Sequence, residues 1–330
     1  MACCAMVFMT LVVGGVTRLT HSGLSIVEWQ PLVGAVPPLT QTDWTELFAK
    51  YQQSPEFRLV NSDMTLDGFK FIFWWEWTHR LLGRSIGLVF FVPFLAFVAL
   101  RKLPAGIAPK LLGFFVLGGM QGAMGWYMVK SGLADDPRVS QYRLAAHLGL
   151  AFLIFGLMLW TALGLFQRRA AVLPEATSGV RRFGALLALL VFIMVLSGAL
   201  VAGLHAGLVY NTFPLMLGYV VPPDMWNVDP LWLNFFTNLA TVQFDHRLIA
   251  WSLMLLVPTF WWRVRMCSAK HAPRRAANFM LAMLVIQVTL GISTLLEAVP
   301  VPLAATHQAG AMLLFATVLW VNHALRVGGN

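Results

Sequence analysis

The sequence predicts an all-α membrane protein of eight transmembrane helices, arranged as two pseudo-symmetric four-helix bundles. Three observations carry that prediction. Of 330 residues, 58% are hydrophobic and only 11% charged, far less charge than a soluble chain of this length needs to cover its surface. Apolar runs of about 20 residues recur between short polar segments, the pattern of bilayer-spanning helices. The second half of the chain then repeats the motifs of the first.

The apolar stretches fall at roughly 1–19, 71–100, 111–130, 143–167, 183–204, 240–262, 278–297 and 303–325, with ends uncertain by several residues. The first resembles a signal peptide in its apolar start. No small-residue cleavage site followed by a soluble domain appears, so it reads as the first membrane helix. It lacks a basic leader, which leaves open a short segment before Met1.

Charge then orients the helices. Arg101, Lys102 and Lys110 fall between the second and third stretches, and Arg168, Arg169, Arg181 and Arg182 between the fourth and fifth. Arg263, Arg265, Lys270, Arg274 and Arg275 fall between the sixth and seventh, so three short loops hold 12 of the 23 basic residues. By the positive-inside rule these loops face the cytoplasm. The long first loop carries Glu28, Asp43, Glu46, Glu56, Asp63 and Asp67 against Lys50, Arg58 and Lys70, and faces outward. Both termini are therefore expected inside. The net charge of +9 reflects this topology, and no nucleic-acid partner is expected.

Cys3, Cys4 and Cys267 are poor material for disulfides, since the first two lie in an apolar helix and the third in a cytoplasmic loop. CxxCH is absent, which excludes covalent c-type haem attachment. HExxH, a Walker A sequence and GxGxxG in a strand–helix setting are also absent.

The duplication sets the domain organisation. His21-Ser22-Gly23-Leu24 runs through Pro31 and Gly34 to Pro37-Pro38. His205-Ala206-Gly207-Leu208 runs through Pro214 and Gly218 to Pro222-Pro223. Gln121 and Gly125 match Gln287 and Gly291; His79-Arg80-Leu81 matches His246-Arg247-Leu248, and His147 matches His307. Four helices per half give both repeats the same orientation, hence parallel repeats about an axis along the membrane normal. The expected halves are 1–170 and 183–330, joined by a cytoplasmic linker at 171–182.

His79, His147, His246 and His307 each stand near the outer end of an apolar stretch, at one depth. An imidazole there is costly unless something binds it. Within each half the two histidines can face each other, and a haem fits between them with one neutral nitrogen on either side of the iron. Packing by hydrogen bonds is the plainer alternative for any single histidine. Zinc suits the pattern less, because each pair supplies two ligands and no clustered carboxylates or thiolates complete a tetrahedron. His21 and His205 match each other at loop positions and suit a structural or rim role. His271 and His323 are expected to be solvated.

Arg80, Arg84 and Arg247 follow the histidines closely. They can pair with haem propionates bidentately or snorkel to the interface; the sequence does not choose. Glu76 lies three residues before His79, close to one helical turn, whereas its counterpart is the neutral Gln243. An ionisable group at this depth is a functional candidate by default, against the alternative of a carboxylate paired with Arg80 or Arg84. Asp245 is a similar candidate in the second half. The GxxxG spacings Gly83/Gly87, Gly118/Gly122 and Gly203/Gly207 predict close helix packing. Most of the 13 tryptophans, Trp29, Trp74, Trp126, Trp226, Trp232 and Trp261 among them, fit an interfacial aromatic belt.

The run from Gly14 to Trp29 (GGVTRLTHSGLSIVEW), Pro37-Pro38, Phe69-Lys70, Glu76-Trp77-Thr78-His79-Arg80 and the later His246-Arg247 resemble the haem A synthase family, in its proteobacterial and mitochondrial branch. The likeness covers essentially the whole chain. It implies oxidation of haem O to haem A, in which two hydroxylations turn the C8 methyl into a gem-diol that loses water to a formyl group. Carried over by position, His79 and His147 hold the substrate haem, His246 and His307 a resident haem b, and Glu76 is the catalytic carboxylate. One departure stands out: the Gram-positive branch has a cysteine pair in the first outer loop, and residues 20–70 here have none. A redox disulfide cannot be transferred to this chain.

If that resemblance holds, the expected setting is the bacterial inner membrane. Expected partners are a haem O-producing farnesyltransferase, the assembly factors of a terminal oxidase and an electron-transfer partner, with a homo-oligomer left open. Two other functions compete: a bis-histidine dihaem b cytochrome passing electrons from quinol, and a haem transporter or chaperone that releases haem unmodified.

Overall fold

The computed structural model describes residues 1–30, 33–133, 137, 139–166, 178–267 and 271–326. Pro31, Arg168, Arg169, Lys270 and the linker residues 171–177 lie outside them. Among the described residues the regular elements are helical. The long ones are α1 (Ala2–Leu19), α4 (Leu66–Ala99), α5 (Ala108–Gly132), α6 (Gln141–Phe166), α7 (Ser178–Gly203), α9 (Leu239–Cys267), α10 (His271–Leu296) and α11 (Val301–Ala324). Each covers one of the expected apolar stretches. Six are long and apolar enough to cross a membrane: α1, α4, α6, α7, α10 and α11. In α5 the glycines and Gln121 dilute the apolar character; in α9 Gln243, Asp245, His246 and Arg247 do so.

The first outer loop is more ordered than its polarity predicts. It contains α2 (Gln41–Gln52) and α3 (Pro55–Leu59). Thr40 and Asp43 close a reciprocal capping box at the start of α2, and Ser54 with Pro55 starts α3, each device satisfying otherwise orphaned amides. Thr65 accepts from the Gly68 amide and starts α4 at Leu66, five residues before the apolar stretch begins. In the second half, the corresponding loop holds short 3₁₀ turns and α8 (Asn234–Thr237).

The chain divides into two compact units, Met1–Ile154 and Phe155–Asn330. In the first, α1 and α2 pack on α4. The buried stripe of α4 is Phe69, Ile72, Phe73 and Glu76, one helical face. Trp44 and Tyr51 of α2 cover its outer end in an aromatic cluster; Tyr51 stacks on Phe69 at 5.2 Å. Helix α5 packs lightly, with Gly132 its one buried residue. An added Cβ at Gly83, Gly87, Gly118 or Gly122 would meet nothing. Those two GxxxG spacings therefore do not mediate close packing within the described chain, contrary to expectation; in the third, Gly207 faces Val299.

In the second unit, α10 packs on α11 and α7 on α9, with α9 and α11 also touching α10 and α7. The Asn322 amide donates to the Gly184 carbonyl at 2.9 Å. Gly184 is required there, because an added Cβ would stand 2.5 Å from Asn322 Oδ1 and 2.7 Å from the Phe260 ring. His323 corrects its expected exposure. It is buried, with Trp160 edge-on to its ring at 5.0 Å, because the end of α11 packs inward. His271 is exposed, as expected.

Candidate functional site

The four histidines share one local design. In each case the imidazole lies against a glycine of a neighbouring helix, where a side chain would overlap it at Gly14 and Gly291 and crowd it at Gly125 and Gly198. An added Cβ would come 2.5 Å from His79 Cε1 at Gly14, 3.2 Å from His147 Cε1 at Gly125, 3.1 Å from His246 Cε1 at Gly198, and 2.8 Å from His307 Cε1 at Gly291. Gly14 and Gly198 belong to the first helix of their repeats, α1 and α7. Gly125 and Gly291 belong to the third, α5 and α10.

The Nδ1 partners follow the same pairing. His79 Nδ1 lies 3.1 Å from the Thr10 carbonyl on α1, and His246 Nδ1 lies 3.3 Å from the Ser197 hydroxyl on α7. Gln121 on α5 donates to the His147 carbonyl at 3.1 Å, with its amide 3.3 Å from both Nδ1 and Nε2. Gln287 on α10 donates to the His307 carbonyl at 3.0 Å, with its amide 3.2 Å from Nδ1. Oε1 of both glutamines is buried without a partner. At His79 the carbonyl against Nδ1 fixes the tautomer that leaves Nε2 as a lone-pair donor, the usual support of a metal-ligating histidine; at His246 the Nδ1 partner is a hydroxyl, and at His147 and His307 it is an amide nitrogen.

His79 and His147 are near enough for their charges to interact, and so are His246 and His307. All four rings are half-buried. Among the described residues no group of three or more His, Cys, Asp or Glu side chains could hold a metal ion. Two-ligand pairs of neutral imidazoles suit an axially ligated haem better than a bare divalent ion, so the donor set fits the group the sequence suggests.

Glu76 is 2% exposed, and both its oxygens are engaged. Oε2 accepts from Ser25 Oγ at 2.7 Å and from the Ile26 amide at 2.8 Å. Oε1 accepts from Arg80 at 2.6 Å, and Arg80 also donates to the Ile26 carbonyl, with Trp29 at 6.0 Å from its guanidinium. Gln243 occupies the matching place but with reversed polarity, donating to the carbonyls of Ala206 and Val209. Arg247 donates to the carbonyls of Tyr210 and Thr212 at 2.8 and 2.9 Å. Arg84 donates to the Gln30 carbonyl. In both halves, then, these arginines tether the loop that follows the first helix, a role the sequence reading missed. Asp245 makes no hydrogen bond or ion pair among the described residues.

A cleft lined by Ser25, Ile26, Leu47, Phe73, Arg80 and Arg84 opens beside the Glu76 tether. His21 and His205 are exposed at left-handed backbone positions, with φ of 52° and 55°. Both turn the chain out of its first helix, which suits the structural role expected of them. Gly14 and Gly198 escaped the sequence reading, although a signal existed: each lies seven residues before that matched histidine.

Comparison with known proteins follows the same motifs. Residues 1–319 match the profile of the COX15-CtaA family, described as cytochrome oxidase assembly protein. "Heme A synthase" of Nitrosospira multiformis is 59% identical over 98% of this chain and 91% of its own length. "Heme A synthase" of Nitrosomonas eutropha is 56% identical over 97% and 90%, and that of Paracoccus denitrificans 47% identical over 97% and 85%.

Proposed function

This chain belongs to the COX15-CtaA family, and from that premise we propose that it is a haem A synthase. Its substrate is haem O, and its product carries a formyl group in place of the C8 methyl. Two hydroxylations, with water as the oxygen source, give a gem-diol that dehydrates to the aldehyde. The chain is an oxidoreductase acting on a methyl carbon.

The observation that carries this reading is the repeated cradle: four imidazoles, each backed by glycine with a polar group of the same helix beside the ring, in two pairs. In the half spanning 1–170, His79 and His147 hold the substrate haem from opposite faces. In the half spanning 183–330, His246 and His307 hold a haem b, which when bound supplies one-electron transfer. Glu76 lies three residues before His79 on its helix, and the neutral Gln243 three residues before His246. That asymmetry supports chemistry in one half and storage of electrons in the other. Glu76 stabilises positive charge developing at the methyl carbon or takes a proton from the attacking water. Arg80 and the Ser25–Ile26 turn hold its carboxylate in place for that task.

All eight long helices span the bacterial inner membrane as two four-helix bundles, with both termini cytoplasmic. The basic loops support this orientation. A farnesyltransferase supplies haem O, an assembly factor of a terminal oxidase receives haem A, and a separate partner removes the electrons.

Extraction and mass analysis of haem from the purified protein test the reading. Haem O, a hydroxylated intermediate or haem A is expected from the native chain. Glu76→Gln should retain the haem spectrum and yield no formyl product. Normal haem A output from that variant ends the role given to Glu76. One observation favours a second reading: the ligand surroundings match closely between halves, as in a dihaem b cytochrome. Recovery of two unmodified haems b per chain would establish that alternative.

A further inference from the structure

The outer loop between α7 and α9 is built inside out. Asn234, Asn238 and Thr241 are buried, Asn234 fully, whereas Trp226, Leu231, Trp232 and Phe235 are exposed, Trp232 by 61%. A loop bathed in water places these residue types the other way round. The buried side chains satisfy irregular backbone. Asn234 donates to the carbonyls of Val228 and Leu231 at 2.7 and 2.9 Å and accepts from the Val228 amide. Asn238 donates to the Asp224 carbonyl at 2.7 Å, and the Thr241 hydroxyl donates to that of Met225. Further along α9, Gln243 and Arg247 donate to carbonyls between Ala206 and Thr212. Non-helical backbone needs such internal partners where water cannot supply them.

Composition and height identify what lies against the apolar face. Between Leu204 and Asn238 there is no lysine or arginine, and the carboxylates are Asp224 and Asp229. A docking surface for a soluble protein carries a polar rim, which this composition does not supply. From Arg263, at the start of the basic loop, back to Leu239, α9 runs about 36 Å. That is about 6 Å more than a hydrocarbon core of about 30 Å, the thickness of one headgroup layer. The loop therefore begins within that layer. Helix α4, with 34 residues, runs about 51 Å and lifts the first loop about 20 Å above the core. That loop carries seven charged side chains between Thr20 and Thr65, as a segment in water should.

We propose that residues 206–238 form a shelf immersed in the outer leaflet, with its apolar face against lipid and its amides turned toward α9. This rests on the reading of α9 as a membrane span with its basic end inside. Trp226 packs edge-on to Phe235 at 5.5 Å, and Trp232 to Phe236 at 6.4 Å. These aromatic pairs give the shelf a stiff underside suited to the headgroup boundary. The shelf goes beyond an aromatic belt, because irregular backbone lies at membrane depth together with the rings.

The experiment uses the full chain carrying Cys3→Ser, Cys4→Ser and Cys267→Ser, reconstituted in phosphatidylcholine vesicles. Nitroxide labels are placed singly at Trp232→Cys and Phe235→Cys on the shelf. Leu255→Cys, exposed on α9, is the lipid reference, and Leu39→Cys, exposed in the first loop, is the water reference. Collisions with dissolved oxygen report lipid; collisions with a water-soluble nickel chelate report water. The labels at 232 and 235 should resemble that at 255, with an oxygen-to-nickel ratio several-fold above that at 39. Two shelf positions are labelled so that misfolding of one variant leaves the other to decide. Nickel access at both equal to that at 39 would overturn the shelf. Shielding from both reagents would overturn it too, because it marks a face covered by a second copy of the chain. A label at 255 that meets nickel instead of oxygen would sink the spanning of α9, and the shelf with it.

Discussion

Gly14 and His79 are mutually exclusive with any larger pair: a methyl group on Gly14 would stand 2.5 Å from Cε1 of the imidazole. The adjoining Nδ1 is tied to the Thr10 carbonyl one turn earlier on the same helix, so the ring has little freedom to retreat. Gly14→Ala should therefore displace His79, at an overpacking cost of about 1–3 kcal/mol. Haem should be lost from the first half and kept in the second. Gly83→Ala is the matched control, since its added Cβ meets nothing. Pyridine-haemochrome assays of haem per protein decide it; full occupancy in Gly14→Ala would refute the cradle.

The glutamines offer a test in the other ring position. Gln287 holds the His307 carbonyl and lies 3.2 Å from Nδ1, while its Oε1 is buried without a partner. Turning the amide presents that oxygen to an Nδ1–H. Gln287→Leu should weaken haem binding in the second half by about 10–100-fold, the usual cost of losing such a supporting bond. Gln287→Glu should make His307 a stronger donor and lower the haem midpoint potential, read by redox titration. An unchanged potential in the Glu variant would exclude contact between this side chain and Nδ1.

Much of this site was legible from spacing alone. The four histidines, the Gln121/Gly125 and Gln287/Gly291 pairs and the Glu76/Gln243 difference were visible because the repeat aligns them. What escaped depends on tertiary packing. Gly14 was hidden in a run of apolar residues, and only the position of His79 reveals why it has no side chain. Glu56 looked like one more acid of a solvated loop, because nothing in the sequence says that α2 and α3 fold over Phe69 and Phe73. His323 looked solvated at a helix end, but its burial is made by Trp160, far away in the chain. The GxxxG motifs failed for the opposite reason: spacing records what a helix permits, not what comes to meet it.

Arg80 and Arg247 should respond differently to truncation. Arg80→Ala strands the buried Glu76 carboxylate, and breaking such a pair costs about 3–5 kcal/mol. Adding Glu76→Gln should return a large part of that loss, because a neutral amide needs no counter-ion. Glu76→Gln alone should be well tolerated, since Gln243 beside Arg247 already shows a loop tether built with that residue. Thermal unfolding of the four proteins in detergent gives the coupling. Additive losses would mean that the Arg80–Glu76 contact contributes nothing to stability.

Glu56 makes stability depend on pH in a predictable direction. Burial first, and the neighbouring Glu76 charge second, push its folded carboxyl up from the ordinary 4.5 to about 8. Between those values the folded chain holds a proton that the unfolded chain has lost. Stability contributed by this group therefore falls as pH rises from about 4.5 to about 8, by at most about 1.4 kcal/mol per pH unit. It is flat outside that window. Glu56→Gln removes the proton exchange, so its melting temperature should decline less steeply than that of the native chain across the same range. The two curves should converge at the acid end, where Glu56 is neutral in both states. Parallel curves from pH 5 to 8 would mean that Glu56 is already ionised in the folded protein.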